Sequence, residues 1–213
     1  MKHAVFYLAL ALSLAAGSRA QEGGPRRLTP TPTPEGIREW LLGLSVLPFP
    51  GADGMASCPP ILRPTLLLSS LIPQKPELAA VFKEYRRAPQ PVVRAVAEYH
   101  LKMAGQGDDE ALLALLRSDN PCVRQLPIFA LGGYLTSHFA QQGRPANAAE
   151  QEALAHPAGA GDKATAAPRF SNALIWGDLG LLDVSLGDRG HRCLLLRKGD
   201  HWVYGGLFHQ WVS

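Results

Sequence analysis

Three histidines near the C-terminus are candidate metal ligands, although their spacing does not match a metal-binding motif. His191, His201 and His209 fall on three consecutive segments that have the composition of strands. Neutral imidazoles brought together across a sheet can bind a transition metal ion. Because the spacing fixes no common point for the three rings, we expect exposed or hydrogen-bonded strand histidines, and we predict no metal and no other cofactor.

Two aspartates in the same region invite comparison with a general acid–base pair. Asp178 and Asp183 are five residues apart, which would place them on opposite faces of one continuous strand. We therefore expect carboxylates of a turn or of a sheet edge. The sequences G-x-S-x-G, H-E-x-x-H, G-x-G-x-x-G and the phosphate-binding P-loop are absent from the chain. We assign no catalytic residue and favour a binding or structural role over an enzyme.

Four aromatic residues could form a platform for a glycan or a peptide: Trp176, Trp202, Tyr204 and Trp211. Such rings combine a large apolar area with a polar tip. A small sheet needs the same area for its own core, so we expect core packing for most of the four.

The strands that would carry these residues follow one another near the C-terminus. They are the apolar or alternating runs Leu179 to Leu186, His191 to Lys198 and His201 to Val212. Gly199 and Asp200 suit a two-residue hairpin turn, so the pattern predicts a three-stranded antiparallel meander. Strict alternation would place Leu207, His209 and Trp211 on one face of the last strand.

Two segments in the middle of the chain match when one is shifted by 30 residues. The matching positions of the first segment are Phe82, Tyr85, Arg87, Pro91, Val93, Arg94, Val96, Tyr99 and Leu101, and those of the second are Leu112, Leu115, Arg117, Pro121, Val123, Arg124, Leu126, Phe129 and Leu131. A period of this length is typical of units that bury an apolar face against the next unit. We predict in each a helix, a tight turn and a second helix that begins at proline, with Asn120 as the N-cap before Pro121.

The second of these segments, Leu112 to Gly133, resembles a HEAT-type repeat. The resemblance lies in Asp119, Pro121, Val123, Arg124 and the closing residues Ala130 to Gly132, and the two segments together run from Pro76 to Leu135. The first segment departs from the pattern, with Pro89 in place of Asp119. Pro127 falls inside the second helix of the second segment and should kink it.

The HEAT resemblance implies a scaffold that presents a helical surface to a partner protein. We expect Arg94 and Arg124 to tie neighbouring turns together, with Asp119 as a partner for Arg124. The C-terminal residues 194–213 resemble the final strands of NTF2-like α+β domains. That resemblance implies a ligand cavity lined by residues such as His209 and Trp211.

Three further segments have simpler interpretations. Glu35 to Leu47 has apolar residues at helical spacing and predicts a short amphipathic helix. Leu66 to Ile72 is too short an apolar run to decide between a helix and a buried strand. Residues 141–168 are rich in Ala, Gly and Pro and predict a flexible connector, with a helical turn near Asn147 to Ala155.

The first residues have the layout of a secretory signal peptide. A short basic start, Met1 to His3, precedes the uncharged apolar run Ala4 to Ala16, and small residues precede a cut between Ala20 and Gln21. We predict a signal peptide over 1–20, export to a periplasmic or extracellular space, and no permanent membrane anchor after cleavage. Residues 21–34 are rich in Pro and Thr and predict an extended linker.

The charge balance argues against nucleic acid as a partner. Without Lys2 and Arg19, the 21 basic residues become 19, against 18 acidic ones, so the mature chain lacks the excess of cations that phosphates require. Cys58, Cys122 and Cys193 would allow one disulfide and one free thiol in an oxidising compartment, and the sequence does not choose the pair.

These observations predict an α+β protein with a helical HEAT-like region over 35–140, a connector over 141–168 and an antiparallel β-meander over 169–213. The favoured hypothesis is an exported, non-catalytic module that uses a helical repeat surface to bind a partner protein or a component of the cell envelope. The alternative is an NTF2-like ligand-binding or enzymatic domain around the C-terminal sheet. The sequence assigns no oligomeric state.

Overall fold

Helices occupy the N-terminal part of the described chain and an antiparallel sheet occupies the C-terminal part. The structure is a computed structural model that describes residues 30–45, 58–155, 169–186 and 189–212. The predicted α+β class is therefore confirmed. The predicted signal peptide and most of the predicted linker lie outside the described residues. Within the described ranges, no helix has both the length and the apolar character needed to cross a bilayer.

The chain forms two compact units with their boundary between Asp108 and Asp109. We call Met1–Asp108 the helical unit and Asp109–Ser213 the mixed unit. The boundary lies within residues 35–140, which are predicted from the sequence to form a single helical region.

Four α-helices build the described part of the helical unit, and each begins at a proline. They are α1 (Pro34–Ser45), α2 (Pro59–Ser69), α3 (Pro76–Glu84) and α4 (Pro91–Met103), with a 3-10 turn at Ile72–Gln74. Proline suits a first helical turn because its missing N–H would have no partner there. The helix predicted from Glu35 is confirmed as α1. The undecided run from Leu66 to Ile72 is helical, since it spans the end of α2 and the start of the 3-10 turn.

The core of the helical unit is formed by large side chains that are almost fully buried. Among them are Ile37, Trp40, Leu41, Leu44, Leu78, Phe82, Tyr99 and Leu101. His100 lies among these apolar groups with no exposed surface. Arg86 closes the turn between α3 and α4, because its Nε donates to Glu98 Oε1 at 2.7 Å and its Nη2 donates to Glu98 Oε2 at 3.2 Å.

The mixed unit continues the helical pattern and then changes to a sheet. Its helices are α5 (Asp109–Leu115), α6 (Pro121–Leu131), α7 (Gly133–Gln142) and α8 (Ala148–Ala155). Asn120 caps α6 as predicted, since its Oδ1 accepts from the main-chain N–H groups of Cys122 at 2.9 Å and Val123 at 3.4 Å. α6 continues through Pro127 to Leu131.

The sheet has five antiparallel strands in sequence order, where three were predicted. They are β1 (Arg144–Pro145), β2 (Arg169–Trp176), β3 (Leu179–Leu186), β4 (Arg189–Lys198) and β5 (His201–Val212). The predicted hairpin at Gly199 and Asp200 is confirmed, because Lys198 pairs with His201 and Gly199 has φ +64°. The prediction of three strands is wrong, since it leaves out β1 and β2.

Part of the predicted connector is also ordered into a strand and a helix. Asn147 and Glu150 start α8 with a capping box: Asn147 Oδ1 accepts from the Glu150 N–H, and Glu150 Oε2 accepts from the Asn147 N–H, both at 2.9 Å. α8 then places Leu154 in a core cluster with Leu182, Leu195 and Trp202. The expected turn of helix near Asn147 is thus two turns long, and residues 156–168 of the connector lie outside the described residues.

Candidate functional site

Arg94 and Arg124 hold the turns that precede their own helices. Arg94 Nη1 donates to the main-chain oxygens of Ala88 at 2.7 Å and Pro89 at 2.9 Å. Arg124 Nη1 donates to the corresponding oxygens of Ser118 at 2.6 Å and Asp119 at 2.8 Å. Both arginines therefore close the loop between the two helices of their pair, which is the structural role that their repetition predicts.

Arg124 is buried, while Arg94 is only partly buried. Arg124 Nε donates to the main-chain oxygen of Gly205 in β5 at 3.1 Å, so Arg124 also fastens α6 to the sheet. Burial lowers the pKa of the Arg124 guanidinium below its usual value. Arg124 offers almost no surface to a partner.

The expected contact between Arg124 and Asp119 is made through the main chain of Asp119. Arg124 binds the main-chain oxygen of Asp119, whereas the Asp119 carboxylate accepts from Lys198 Nζ at the end of β4. The hydrogen bond from Lys198 lowers the pKa of Asp119. The sequence could not show this, because residues 119 and 198 meet only through the packing of the sheet on its helices.

Of the three histidines expected on the strands, the structure describes the side chains of His191 and His201. His191 is half-buried in β4, and His201 is exposed beside Asp200, with Nδ1 3.1 Å from the Asp200 carboxylate. His209 and Trp211 lie opposite Arg192 and Gly190 in the register of β4 and β5, and their side chains lie outside the described residues. A shift of that register at Arg192 and Cys193 interrupts the strict alternation expected for Leu207, His209 and Trp211.

Within the described ranges, no group of three His, Cys, Asp or Glu side chains has the geometry of a metal site.

Asp178 and Asp183 occupy different environments. Asp178 lies in the turn between β2 and β3, as expected, and accepts from Arg117 Nε at 2.8 Å. The expectation is wrong for Asp183, because β3 is an inner strand and the Asp183 side chain is 5% exposed. It accepts from Arg192 Nε at 2.6 Å and from Arg192 Nη2 at 2.7 Å. The buried charge is tolerated because a bidentate arginine satisfies it.

Asn172 completes the surroundings of Asp183. It has φ +50° at a register shift in β2, and its Nδ2 donates to Asp183 Oδ2 at 2.9 Å. On the other side, Arg192 Nη1 donates to Thr136 Oγ1 in α7 at 3.3 Å. This cluster joins β2, β3, β4 and α7, and its acceptors are occupied by its own donors, which is the arrangement of a structural network.

The aromatic residues are divided between the core and the surface. Trp202 is 5% exposed and belongs to the core, whereas Tyr204 is 40% exposed. The Trp176 ring centroid lies 4.3 Å from that of His138, and Arg117 lies over the ring, with Cζ 4.8 Å from its centroid. The four residues expected as a possible platform therefore include a core tryptophan and a tryptophan held by an arginine.

The cysteines have two states. Cys58 and Cys122 are disulfide-bonded, and Cys193 has a free thiol. Burial raises the pKa of Cys193 from 9.0 to about 11, which makes its thiolate scarce at neutral pH. A nucleophilic role for Cys193 therefore has no support in its surroundings.

An open groove lies on the described part of the helical unit. It has a volume of ≈ 370 Å³ and is bounded by α1, by residues 84–85 and 87–90 around the turn between α3 and α4, and by Val93 of α4. We call this cavity the α1 groove. Leu41 and Val93 are buried, while Leu42 is 59% exposed and adds apolar surface at the side of the groove.

Charged side chains surround this apolar surface. Glu84 accepts from Arg38 Nε at 3.1 Å and from Arg38 Nη2 at 2.8 Å, which fastens α1 to α3 and balances the Glu84 charge. Arg87 is exposed in the turn, and it has no ion pair or hydrogen bond to a side chain in the part of the chain that the structure describes. The groove therefore combines an apolar wall with a positive charge that remains available to a ligand.

The groove is not predicted from the sequence, although two signals for it are present. Leu42 is an apolar residue outside the buried stripe of α1, which consists of Ile37, Trp40, Leu41 and Leu44. Arg87 is one of the positions that repeat after 30 residues, but the repetition does not show which copy has its charge paired.

Comparison of the chain with protein-family models, with curated protein sequences and with solved structures finds no match in any of the three.

Proposed function

We propose that the protein is an exported, non-catalytic interaction module whose α1 groove binds an extended segment of a partner protein or cell-envelope protein. The observation that carries this proposal is the groove itself, which is lined by the exposed Leu42 and by Arg87, whose side chain has no ion pair within the described residues. The occupant that fits is a peptide segment with an apolar side chain next to a carboxylate.

The size and chemistry of the groove support a peptide. Its volume of ≈ 370 Å³ lies within the range of about 300–1,000 Å³ that is usual for ligand pockets. Helical surfaces commonly recognise segments through one or two apolar anchors, with charged groups around them that select the partner. Leu42 offers apolar contact area, and Arg87 supplies the charge that would select an acidic residue.

Two further features support export and the absence of catalysis. The predicted signal peptide directs the chain across a membrane, and disulfide-bonded cysteines are typical of oxidising compartments. The charged residues that the sequence analysis singled out for chemistry, Asp178 and Asp183, are both paired with arginines in structural contacts.

The experiment that tests this proposal compares two exposed leucines of the helical unit. Leu42 is 59% exposed at the groove, and Leu67 is 52% exposed on α2 outside it. Peptides would be selected from a displayed random library against residues 21–213, and their affinities measured by fluorescence anisotropy for the parent, Leu42→Asp and Leu67→Asp. We expect Leu42→Asp to weaken binding by about tenfold or more, because it removes an apolar contact worth ~1.4 kcal/mol or more.

Leu67→Asp is expected to bind the selected peptides as the parent does. Amide chemical-shift changes on adding peptide should centre on residues 41–45 and 84–93. The proposal is wrong if the selection yields no peptide, or if the two aspartate variants weaken binding equally.

The NTF2-like alternative requires a ligand cavity at His209 and Trp211, and it stays a prediction.

A further inference from the structure

The two helix pairs that repeat after 30 residues make the same contact at their second arginine. Arg94 Nη1 binds the main-chain oxygens of the residues six and five positions before it, and Arg124 Nη1 does the same. The four distances lie between 2.6 and 2.9 Å. Because this loop geometry is the same in both pairs, their equivalent positions can be compared directly.

In the second pair, Arg117 and Arg124 have their partners in the sheet. Arg117 Nε donates to the Asp178 carboxylate at 2.8 Å, and its guanidinium lies over the Trp176 ring, 4.8 Å from the centroid. Arg124 Nε donates to the main-chain oxygen of Gly205 at 3.1 Å. The sheet therefore contacts the two arginines of the second pair through three groups. They are an aromatic ring, a carboxylate two residues after it, and a main-chain carbonyl.

In the first pair, the equivalent arginines lack these three groups within the described residues. Arg87 corresponds to Arg117 and is exposed without a carboxylate or ring partner, and it lines the α1 groove. Arg94 corresponds to Arg124, and its described side-chain hydrogen bonds are the two that its Nη1 donates to the turn. The first pair thus has the same two arginines as the second pair. Within the described residues, it has no group that corresponds to the Trp176 ring, the Asp178 carboxylate or the Gly205 carbonyl.

We propose that the α1 groove binds a turn of a partner protein that carries an aromatic residue and, two residues later, an aspartate. This inference rests on the proposed function and specifies its ligand. The aspartate pairs with the guanidinium of Arg87, and the aromatic ring stacks on the same guanidinium in the groove that Leu42 also lines. The negative charge of Glu84 does not oppose this ligand, because Arg38 binds it through two hydrogen bonds.

A probe for this ligand is already present in the chain. Residues 175–179, Ile-Trp-Gly-Asp-Leu, contain the ring and the carboxylate that contact Arg117. A fluorescein-labelled cyclic peptide containing this sequence would be titrated by anisotropy against residues 21–213. Matched peptides would carry asparagine in place of the aspartate, or alanine in place of the tryptophan.

The protein variants are Arg87→Gln and the control Arg63→Gln, since both arginines are exposed in the helical unit and Arg63 does not line the groove. We expect Arg87→Gln to weaken binding of the aspartate peptide by about tenfold, because an exposed ion pair and a cation–π contact are lost together. Arg63→Gln should change the affinity by less than about twofold, which is the scale expected for a distant exposed charge.

The decisive readout is the discrimination between the aspartate and asparagine peptides. The parent and Arg63→Gln should prefer aspartate, and Arg87→Gln should bind the two peptides equally, since the double-mutant cycle removes the same pair from either side. Raised salt should weaken the aspartate peptide more than the asparagine peptide.

Absence of binding, or a preference for aspartate that survives in Arg87→Gln, overturns the inference. If library-selected peptides still depend on Leu42 in that case, the proposed function stands and only the ligand assignment fails. If Leu42→Asp has no effect on any peptide, both fail.

Discussion

His100 should make the helical unit sensitive to acid. The ring has no exposed surface, and its centroid lies 4.3 Å from that of Phe82, 5.3 Å from that of Tyr99 and 6.3 Å from that of Trp40. Neither ring nitrogen has a hydrogen-bond partner in the described part of the chain. Burial among apolar rings disfavours the charged imidazolium and lowers the pKa of His100 from 6.5 to about 3.

The sign and size of the effect follow from this shift. The unfolded chain binds a proton at His100 below a pH of 6.5, whereas the folded chain does so only near a pH of 3. The stability that His100 contributes is therefore complete above pH 6.5 and is lost as the pH falls towards 3. Each pH unit in that window lowers the free energy of unfolding by about 1.4 kcal/mol, so the loss at about pH 5 is ~2 kcal/mol.

Replacing His100 by phenylalanine should remove this dependence. Urea unfolding of residues 21–213 would be followed by circular dichroism at about pH 8 and about pH 5, for the parent and for His100→Phe. Other acidic groups contribute to both chains, so the measured quantity is the difference between them. We expect the parent to lose ~2 kcal/mol more than His100→Phe between the two pH values.

A second measurement does not depend on the variant. The carbon-bound ring protons of His100, observed by NMR, should show no titration above about pH 4. An NMR pKa near 6.5, or an equal pH dependence of His100→Phe, would refute the reasoning. If His100→Phe does not fold, His100→Leu offers a smaller apolar side chain for the same comparison.

Two further predictions concern the mixed unit. Asp183→Asn should lower the free energy of unfolding by about 3 kcal/mol in urea titrations, because it leaves Arg192 in a partly buried site without its charge partner. Asp178→Asn breaks an exposed pair and should lower the free energy of unfolding by about 1 kcal/mol or less. Equal losses in the two variants would contradict the structure. Cys193 should react with iodoacetamide far more slowly in the folded protein than in urea, and mass spectrometry should find one label per unreduced chain, whereas rapid labelling of the folded protein at about pH 8 would contradict its raised pKa.

The helices were the most predictable part of the fold, because their signals are local. Proline in the first turn, Asn120 as a cap and apolar residues at helical spacing each act within one or two turns. β2 was missed because its alternation is broken at Asn172, where the backbone has φ +50° and the register shifts. A strand of this kind forms through its pairing with β3, which is not a local property.

The side-chain partners were less predictable than the elements. Asp183 pairs with Arg192 because β3 and β4 place these residues opposite each other, and the carboxylate of Asp119 pairs with Lys198 through packing of distant segments. The α1 groove likewise depends on which face of α1 remains uncovered. Leu41 and Leu42 are the same residue type, but Leu41 is buried and Leu42 is exposed. Sequence spacing predicts the face of an isolated helix but not the neighbour that covers it.

The two-residue strand β1 affects how the protein can associate with copies of itself. It pairs Arg144 with Ile175 and Pro145 with Leu174, and both of its residues are exposed at one edge of the sheet. Proline has no N–H to offer an incoming strand, and the Arg144 side chain is held by Glu150 through two hydrogen bonds at 2.7 and 2.6 Å. The part of the edge formed by Arg144 and Pro145 is therefore a poor template for the strand addition that begins cross-β aggregation.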